Sequence, residues 1–159
     1  MRHRKESRMK LNRRQLFLLS AGAALAGSGA IEVAPAYADA PAADKRIAEF
    51  AGGTAPATGK LTLTAPEIAE NGNTVPVAVK VDSAMEGDDM VEAVMILADG
   101  NPNPDVATFH FTAMSGAAEA TTRMRLAKTQ NVIAVARMAD GSVYMDKKEV
   151  KVTIGGCGG

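Results

Sequence analysis

The chain has 159 residues, with 18 basic and 18 acidic side chains, one cysteine and no tryptophan. One cysteine excludes an internal disulfide, and an aromatic content of 4% predicts a core of Val, Ile, Leu, Met and Ala. Residues 1–38 hold seven of the basic and two of the acidic residues, so the remainder carries a net charge of about −5 and is one domain in length. This charge argues against nucleic acid and anionic membranes as partners.

The first 38 residues predict an export signal. Arg13 and Arg14 directly precede an apolar run at 16–30, which is shorter than the about 20 residues needed to span a bilayer. Small residues at 36–38 then offer a cleavage point. We therefore predict a twin-arginine signal peptide over residues 1–38, periplasmic localisation and no membrane anchor.

A short helix is predicted over residues 41–51. Ala43 and Ile47 follow helical spacing, and a glycine pair at 52–53 ends the pattern. This helix and the linker after it form an N-terminal region at 39–59, which precedes the main domain.

From residue 60 onward the apolar residues alternate with a period of two, which is typical of strands. Half-buried strands are predicted at 61–64, 75–81, 108–112 and 119–126, strands buried on both faces at 91–98 and 131–138, and a last strand at 142–154. Residues 65–73 are predicted as a turn-rich connection. Seven strands without βαβ alternation predict an all-β, immunoglobulin-like β-sandwich over 60–154.

The last predicted strand contains a change of phase. Val143 and Met145 occupy odd positions, whereas Val150 and Val152 occupy even ones. A strand with one buried face would have to turn over, so we expect a bulge or a change of sheet near 146–148.

The strand at 91–98 also bears on the quaternary state. Its two apolar faces both need cover, and the chain has few aromatic residues to supply it. This pattern predicts that the protein is unstable alone and pairs with a second subunit as a heterodimer.

The single cysteine, Cys157, lies between Gly155-Gly156 and Gly158-Gly159. Glycine pairs do not pack and leave the backbone unrestricted, so residues 155–159 predict a flexible arm rather than a preformed pocket. No base or cation adjoins the thiol in sequence to activate it. We therefore expect a group that is carried into the sites of other proteins and modified there.

Metal binding is the main competing chemistry. Residues 39–159 contain seven methionines and one histidine, His110, a combination that suits copper. A blue-copper site, however, needs a second histidine and an anchored cysteine, and methionines within strands are typical core residues. We therefore predict no metal and no cofactor, with His110 on the polar face of its strand.

A basic patch of Arg123, Arg125 and Lys128 suits an anion or an acidic partner, and equally a solvated strand face. Two further functions stay open from the residues alone. One is an exported immunoglobulin-like structural or binding subunit whose cysteine forms an intermolecular disulfide. The other is a periplasmic metallochaperone.

Several segments together closely resemble the SoxY family of sulfur carriers. They are the twin-arginine leader, PEIAENGNTVP at 66–76, VATFHF at 106–111, LAKTQNV at 126–132 and GGCGG at 155–159. The terminal pentapeptide is specific, and the interior segments are specific only in combination.

The resemblance implies a carrier in thiosulfate oxidation that is not itself an enzyme and needs no cofactor. The resemblance also implies pairing with a SoxZ-like subunit, a second small immunoglobulin-like protein that is exported together with the carrier. It further implies that the haem protein SoxAX joins thiosulfate oxidatively to Cys157 as an S-thiosulfonate, that SoxB releases sulfate, and that a sulfane dehydrogenase oxidises the remaining sulfur.

Overall fold

The structure is a computed structural model that describes residues 40–155, all within one compact unit. The predicted signal, with Arg13 and Arg14, and the arm residues Gly156, Cys157, Gly158 and Gly159 lie outside the described residues. The elements in chain order are helix α1 (Ala40–Ala51) and strands β1 (Leu61–Thr64), β2 (Ile68–Asn71), β3 (Val75–Val81), β4 (Val91–Ala98), β5 (Asp105–His110), β6 (Ala118–Met124), β7 (Gln130–Met138) and β8 (Val143–Ile154). Short 3-10 turns lie at Gly87–Asp89 and Ala113–Ser115.

The strands form two sheets. One has the order β1-β3-β6, and the other has the order β2-β8-β7-β4-β5. All pairs are antiparallel except β2 with β8, which is parallel. The predicted all-β, immunoglobulin-like sandwich with an N-terminal helix is confirmed, with eight strands where seven were expected.

The core lies between the sheets because the apolar alternation places one face of each strand inward. Along β3 every odd residue from Val75 to Val81 is buried. Across from β3, Val94 and Ile96 of β4 and Val132 of β7 are fully buried in the same cluster. Each such side chain contributes roughly 1.5–3 kcal/mol of hydrophobic stabilisation.

The outer face of the larger sheet is covered by α1. Ala43 and Ile47 pack in a second buried cluster with Leu97 of β4 and Val135 of β7. The predictions of a helix at 41–51 and of two strands buried on both faces are therefore confirmed. Because α1 supplies the second cover, the apolar sequence of β4 does not by itself require a partner subunit.

The prediction of a bulge or a change of sheet near 146–148 in the last strand is wrong. β8 pairs with β7 without interruption from Arg137↔Val143 to Gln130↔Val150. The change of phase has another cause, because Val143 lies in the α1-covered cluster whereas Val150 lies in the core between the sheets. One straight strand therefore buries opposite faces at its two ends.

The strand missed from the sequence is β2, which lies in the predicted connection at 65–73. It is an edge strand whose pairing with β8 includes Ile68↔Lys151 and Asn71↔Ile154. Only Ala69 among its residues is buried. This edge position brings β2 to the end of the domain from which the arm departs.

Candidate functional site: the root of the arm

Cys157 lies outside the described residues, and the described part of the site is the point at which the chain leaves the domain. We call residues 151–155 the arm root. Consecutive Cα atoms are about 3.8 Å apart, so the Cα of Cys157 lies within about 8 Å of the Cα of Gly155. The surroundings of the arm root are therefore the surroundings that the thiol can reach.

On one edge, the arm root extends past the end of the neighbouring strand β7. The ladder between β7 and β8 ends at Gln130↔Val150. Beyond it the Thr129 hydroxyl takes over, since its oxygen accepts a hydrogen bond from the Val152 N–H at 2.9 Å. The loop before β7 thus continues to hold β8 after the sheet pairing has stopped.

The other edge is held by β2 and its flanking residues. The Lys151 N–H donates to the Glu67 carbonyl at 2.9 Å, and the Gly72 N–H donates to the Ile154 carbonyl at 2.8 Å. The Gly72 carbonyl in turn accepts from the Leu126 N–H at 2.8 Å. Hydrogen bonds therefore fix the chain as far as Ile154, three residues before the cysteine.

Gly155 contacts the domain so closely that a side chain is excluded. A Cβ atom built at this position would lie 2.3 Å from the carbonyl oxygen of Ala127. Real Cβ atoms do not approach a backbone oxygen so closely, so glycine is required here for a steric reason. The other three arm glycines lie outside the described residues.

A side-chain network fixes the loop that Gly155 contacts. Gln130 is 5% exposed, and its Oε1 accepts from the Gly100 N–H at 2.6 Å while its Nε2 donates to Asn101 Oδ1 at 2.9 Å. Asn101 Oδ1 also accepts from the Ala127 N–H at 3.0 Å, and its Nδ2 donates to the Arg125 carbonyl at 2.8 Å. We call the Gln130 and Asn101 side chains the root network.

Sequence reasoning did not find the root network. Asn101 lies in a stretch of turn residues, DGNPNP at 99–104, which follows the strand predicted at 91–98. Gln130 lies in the segment at 126–132 that carries the family resemblance. The available signal was a polar side chain at the start of a strand otherwise buried on both faces, since a buried amide needs hydrogen-bond partners.

Beside the root network lies an open cleft of about 310 Å³. It is lined by Asn101, Pro102, Asn103, Asp105, Val106, Arg123, Met124 and Arg125. The structure therefore places two members of the predicted basic patch, Arg123 and Arg125, at one cleft. The third, Lys128, follows Ala127 in the loop that contacts the arm root.

The one carboxylate that lines the cleft is already paired. Both oxygens of Asp105 accept from Arg46 Nε of α1 at 3.0 Å. The hydrogen bond with Asp105, and after it the one with Glu49, raises the pKa of Arg46. Across residues 40–155 the ion pairs include neither Arg123 nor Arg125, so the cleft has an excess of positive charge.

The candidate metal ligands are spread over several strands. Met95, Met124 and Met138 are buried, which confirms that they are core residues. His110 is exposed at the end of β5. Within residues 40–155 no three His, Cys, Asp or Glu side chains are grouped so that they could hold a metal ion. The same part of the chain contains no helix long and apolar enough to cross a membrane.

Comparison with known proteins gives one family. The model of the SoxY family, described as sulfur oxidation protein SoxY, matches residues 47–157 and so extends to Cys157. The solved structure of the sulfur carrier protein SoxY from Chlorobium limicola f thiosulfatophilum is 35% identical, with a TM-score of 0.60. That match covers 73% of this chain and 100% of the other.

Superoxide reductases share the fold alone. The E23A form of the Ignicoccus hospitalis enzyme (neelaredoxin) is 21% identical with a TM-score of 0.53, over 72% of this chain and 89% of the enzyme. A second structure of the same enzyme is 20% identical with a TM-score of 0.51, over 60% of this chain and 81% of the enzyme. No curated protein matches the sequence.

Proposed function

The chain belongs to the SoxY family of sulfur oxidation proteins, and on this premise we propose that it carries pathway intermediates covalently on Cys157 and presents them to partner enzymes in the periplasm. The observation that carries the proposal is that the match to the family model extends to Cys157. This residue follows the fixed arm root by two positions. A carrier needs its reactive atom to enter the active sites of other enzymes while its folded domain stays outside them. A thiol tethered by glycines just past a hydrogen-bonded strand end meets both needs.

The proposed chemistry begins with the attachment of thiosulfate. The Cys157 thiol and the outer sulfur of thiosulfate form a sulfur–sulfur bond, which gives a cysteine S-thiosulfonate, releases one proton and transfers two electrons to the enzyme SoxAX as the oxidant. Water, activated in SoxB, then cleaves the bond between the outer sulfur and the sulfonate, so that sulfate leaves and a persulfide stays on Cys157.

The remaining steps return the thiol. A sulfane dehydrogenase oxidises the outer persulfide sulfur to a sulfonate, with water as the source of oxygen and the enzyme as the electron acceptor. A second hydrolysis by SoxB releases this sulfonate as sulfate and regenerates Cys157. The carrier is modified at each step and catalyses none, so it needs no cofactor of its own.

The proposal includes one stable partner and one export route. A SoxZ-like subunit forms the heterodimer, whereas SoxAX, SoxB and the sulfane dehydrogenase bind transiently. The twin-arginine motif at Arg13 and Arg14, the apolar run after it and the small residues at 36–38 support export to the periplasm.

The test is Cys157→Ser in a reconstituted thiosulfate-oxidising mixture. Serine is nearly isosteric but cannot form the sulfur–sulfur bond, so thiosulfate-dependent electron transfer should vanish. The free energy of unfolding should change by less than about 0.5 kcal/mol, because Cys157 follows the last strand in sequence and is flanked by glycine pairs. Normal turnover by the serine variant would refute the carrier role.

A matched control separates the carrier from the competing disulfide-forming subunit. Met114 is 97% exposed, so the double variant C157S/M114C keeps one accessible thiol at another site. It should modify freely with small reagents and still fail to turn over with the enzymes. Intact mass of the native protein should show added sulfur on the monomer, whereas a cross-linked dimer alone would favour the disulfide function.

A further inference from the structure

We propose that the cleft beside the root network is an oxyanion site, which receives the terminal sulfonate of the group carried on Cys157. The inference rests on the proposed carrier function and adds to it a resting place for the cargo on the carrier itself.

The charge of the cleft matches a sulfonate. Arg123 and Arg125 are exposed and are without ion-pair partners among residues 40–155. A guanidinium binds two oxygens of a tetrahedral oxyanion through parallel N–H donors. The one acidic lining residue, Asp105, has both its oxygens bonded to Arg46 and so opposes an anion less than a lone carboxylate would.

The amides that line the cleft add neutral donors. Asn101 uses its Oδ1 twice and donates one N–H to the Arg125 carbonyl, so a second N–H remains on the same nitrogen. Asn103 uses its Oδ1 to accept from the Asp105 N–H at 3.2 Å, which leaves its amide nitrogen as a donor. Two cations and two amide donors form a suitable set for three sulfonate oxygens.

The arm is long enough to reach this cleft. Asn101 bonds the Ala127 N–H, and Gly155 lies against the Ala127 carbonyl. Ala127 therefore contacts both Gly155 and Asn101, which is a lining residue of the cleft. A two-residue extension and the Cys157 side chain reach about 10 Å, and a carried thiosulfonate adds about 3–4 Å.

A second cleft in the described part of the chain lies too far from the arm to receive the carried group. It has a volume of about 370 Å³, lies between α1 and the first half of β8, and includes Met145 and Lys147 among its lining residues. At about 3.3 Å per residue these positions lie roughly 26–33 Å along β8 from Gly155, which the arm cannot span.

The test uses protein loaded with a defined group, purified together with its partner subunit. Cys157 is first converted to the mixed disulfide with thionitrobenzoate, and thiosulfate then displaces the thionitrobenzoate anion to leave the S-thiosulfonate. The disulfide reagent is the oxidant, so no enzyme is needed. Intact mass confirms the loading.

Nitrogen-15 NMR of the arginine Nε–H groups reports the binding. We expect the Arg123 and Arg125 signals to shift when Cys157 is loaded. Free thiosulfate or sulfate at the same protein-equivalent concentration, added to Cys157→Ser, should leave them in place. Shifts with the free ion but not with the carried group, or no shift in fully loaded protein, would overturn the proposal.

A kinetic measurement uses a variant pair of equal charge. Docking should slow removal of the carried group by a neutral thiol, so R123Q/R125Q should lose it roughly fivefold faster than the unmodified sequence. K147Q/K148Q removes the same charge near the middle of β8 and should leave the rate unchanged. Equal rates for all three proteins would contradict docking.

These measurements are independent of the carrier function, because the group is attached chemically. If Cys157→Ser kept enzymatic turnover while the loaded protein showed the arginine shifts, the carrier function would fail and the oxyanion site would stand. If turnover vanished in the serine variant and the arginine signals did not move on loading, the reverse conclusion would hold.

Discussion

The two ends of β8 are held by different forces. At its first end Val143 is 2% exposed, lies in the α1-covered cluster and pairs with β7. At its last end Ile154 is 68% exposed and is fixed by hydrogen bonds. Apolar burial therefore maintains the domain at one end, while directional bonds set the exit of the chain at the other. Substitutions at the two ends should change different measured quantities.

The largest effect is expected for Leu97→Ala, in the α1-covered cluster. Leu97 is fully buried, and its truncation should lower the free energy of unfolding by about 3 kcal/mol. Turnover per folded molecule should stay unchanged, because the arm root is untouched. Urea unfolding measures the loss. The control is Ile154→Ala, which should stay within about 0.5 kcal/mol of the parent protein, and equal losses in both would erase the contrast between the two ends.

A smaller loss is expected for Gln130→Leu, at the root network. The change leaves the Gly100 N–H without its acceptor and removes a bond to Asn101, at a cost of about 2 kcal/mol. Amide hydrogen exchange at Ala127 should become faster, because Asn101 is then less well fixed. Unchanged exchange at Ala127 would show that the network does not hold the loop.

Gly155→Ala should give a comparable or slightly smaller loss. The added methyl group would lie 2.3 Å from the Ala127 oxygen, so the root must move, at a cost of about 1–2 kcal/mol. Transfer rates with the Sox enzymes should also fall, because the arm leaves the domain from a displaced point. Both effects should be absent in Ile154→Ala, and a Gly155→Ala protein that behaved like this neighbour would show that the close approach has no role.

The smallest effect is expected away from both ends, at Asp89. Hydrogen bonds from Lys60 and from the Ala84 N–H lower the pKa of this carboxyl group. Its contribution to stability is therefore present above the unfolded-state pKa and is lost as pH falls through the lowered folded-state pKa. In Asp89→Asn the melting temperature should fall less between pH 6 and pH 3. A parallel fall in both proteins would show that the pair adds nothing.

The elements that could be predicted from the sequence are those in which burial follows local periodicity. The alternating valines of β3 and the helical spacing of Ala43 and Ile47 identify the buried face of each element from a few neighbouring residues. By contrast, β2 exposes 58% of Ile68 and buries only Ala69. Its strand conformation depends on pairing with β8, which lies some 83 residues later in the chain.

The same distinction between local and distant interactions applies to the site. Cys157 and its glycines could be proposed from the sequence because their spacing is itself the signal. The bonds of the root network described above join residues 24 to 30 positions apart, so no local pattern marks it. The predicted bulge in β8 failed for a related reason, since the sequence does not say that α1 covers one end of the strand and the opposite sheet the other.

The position of β8 between two neighbours has a mechanical consequence. On the proposed function, a partner enzyme that binds the end of the chain would pull on β8. β7 pairs with β8 at eight positions, and β2 flanks its opposite edge near the exit. Such a pull loads these hydrogen bonds together, in shear, whereas peeling a strand sideways breaks them one at a time. The pairing of β8 with β7 and β2 therefore favours resistance to a pull along the strand axis over resistance to a sideways pull.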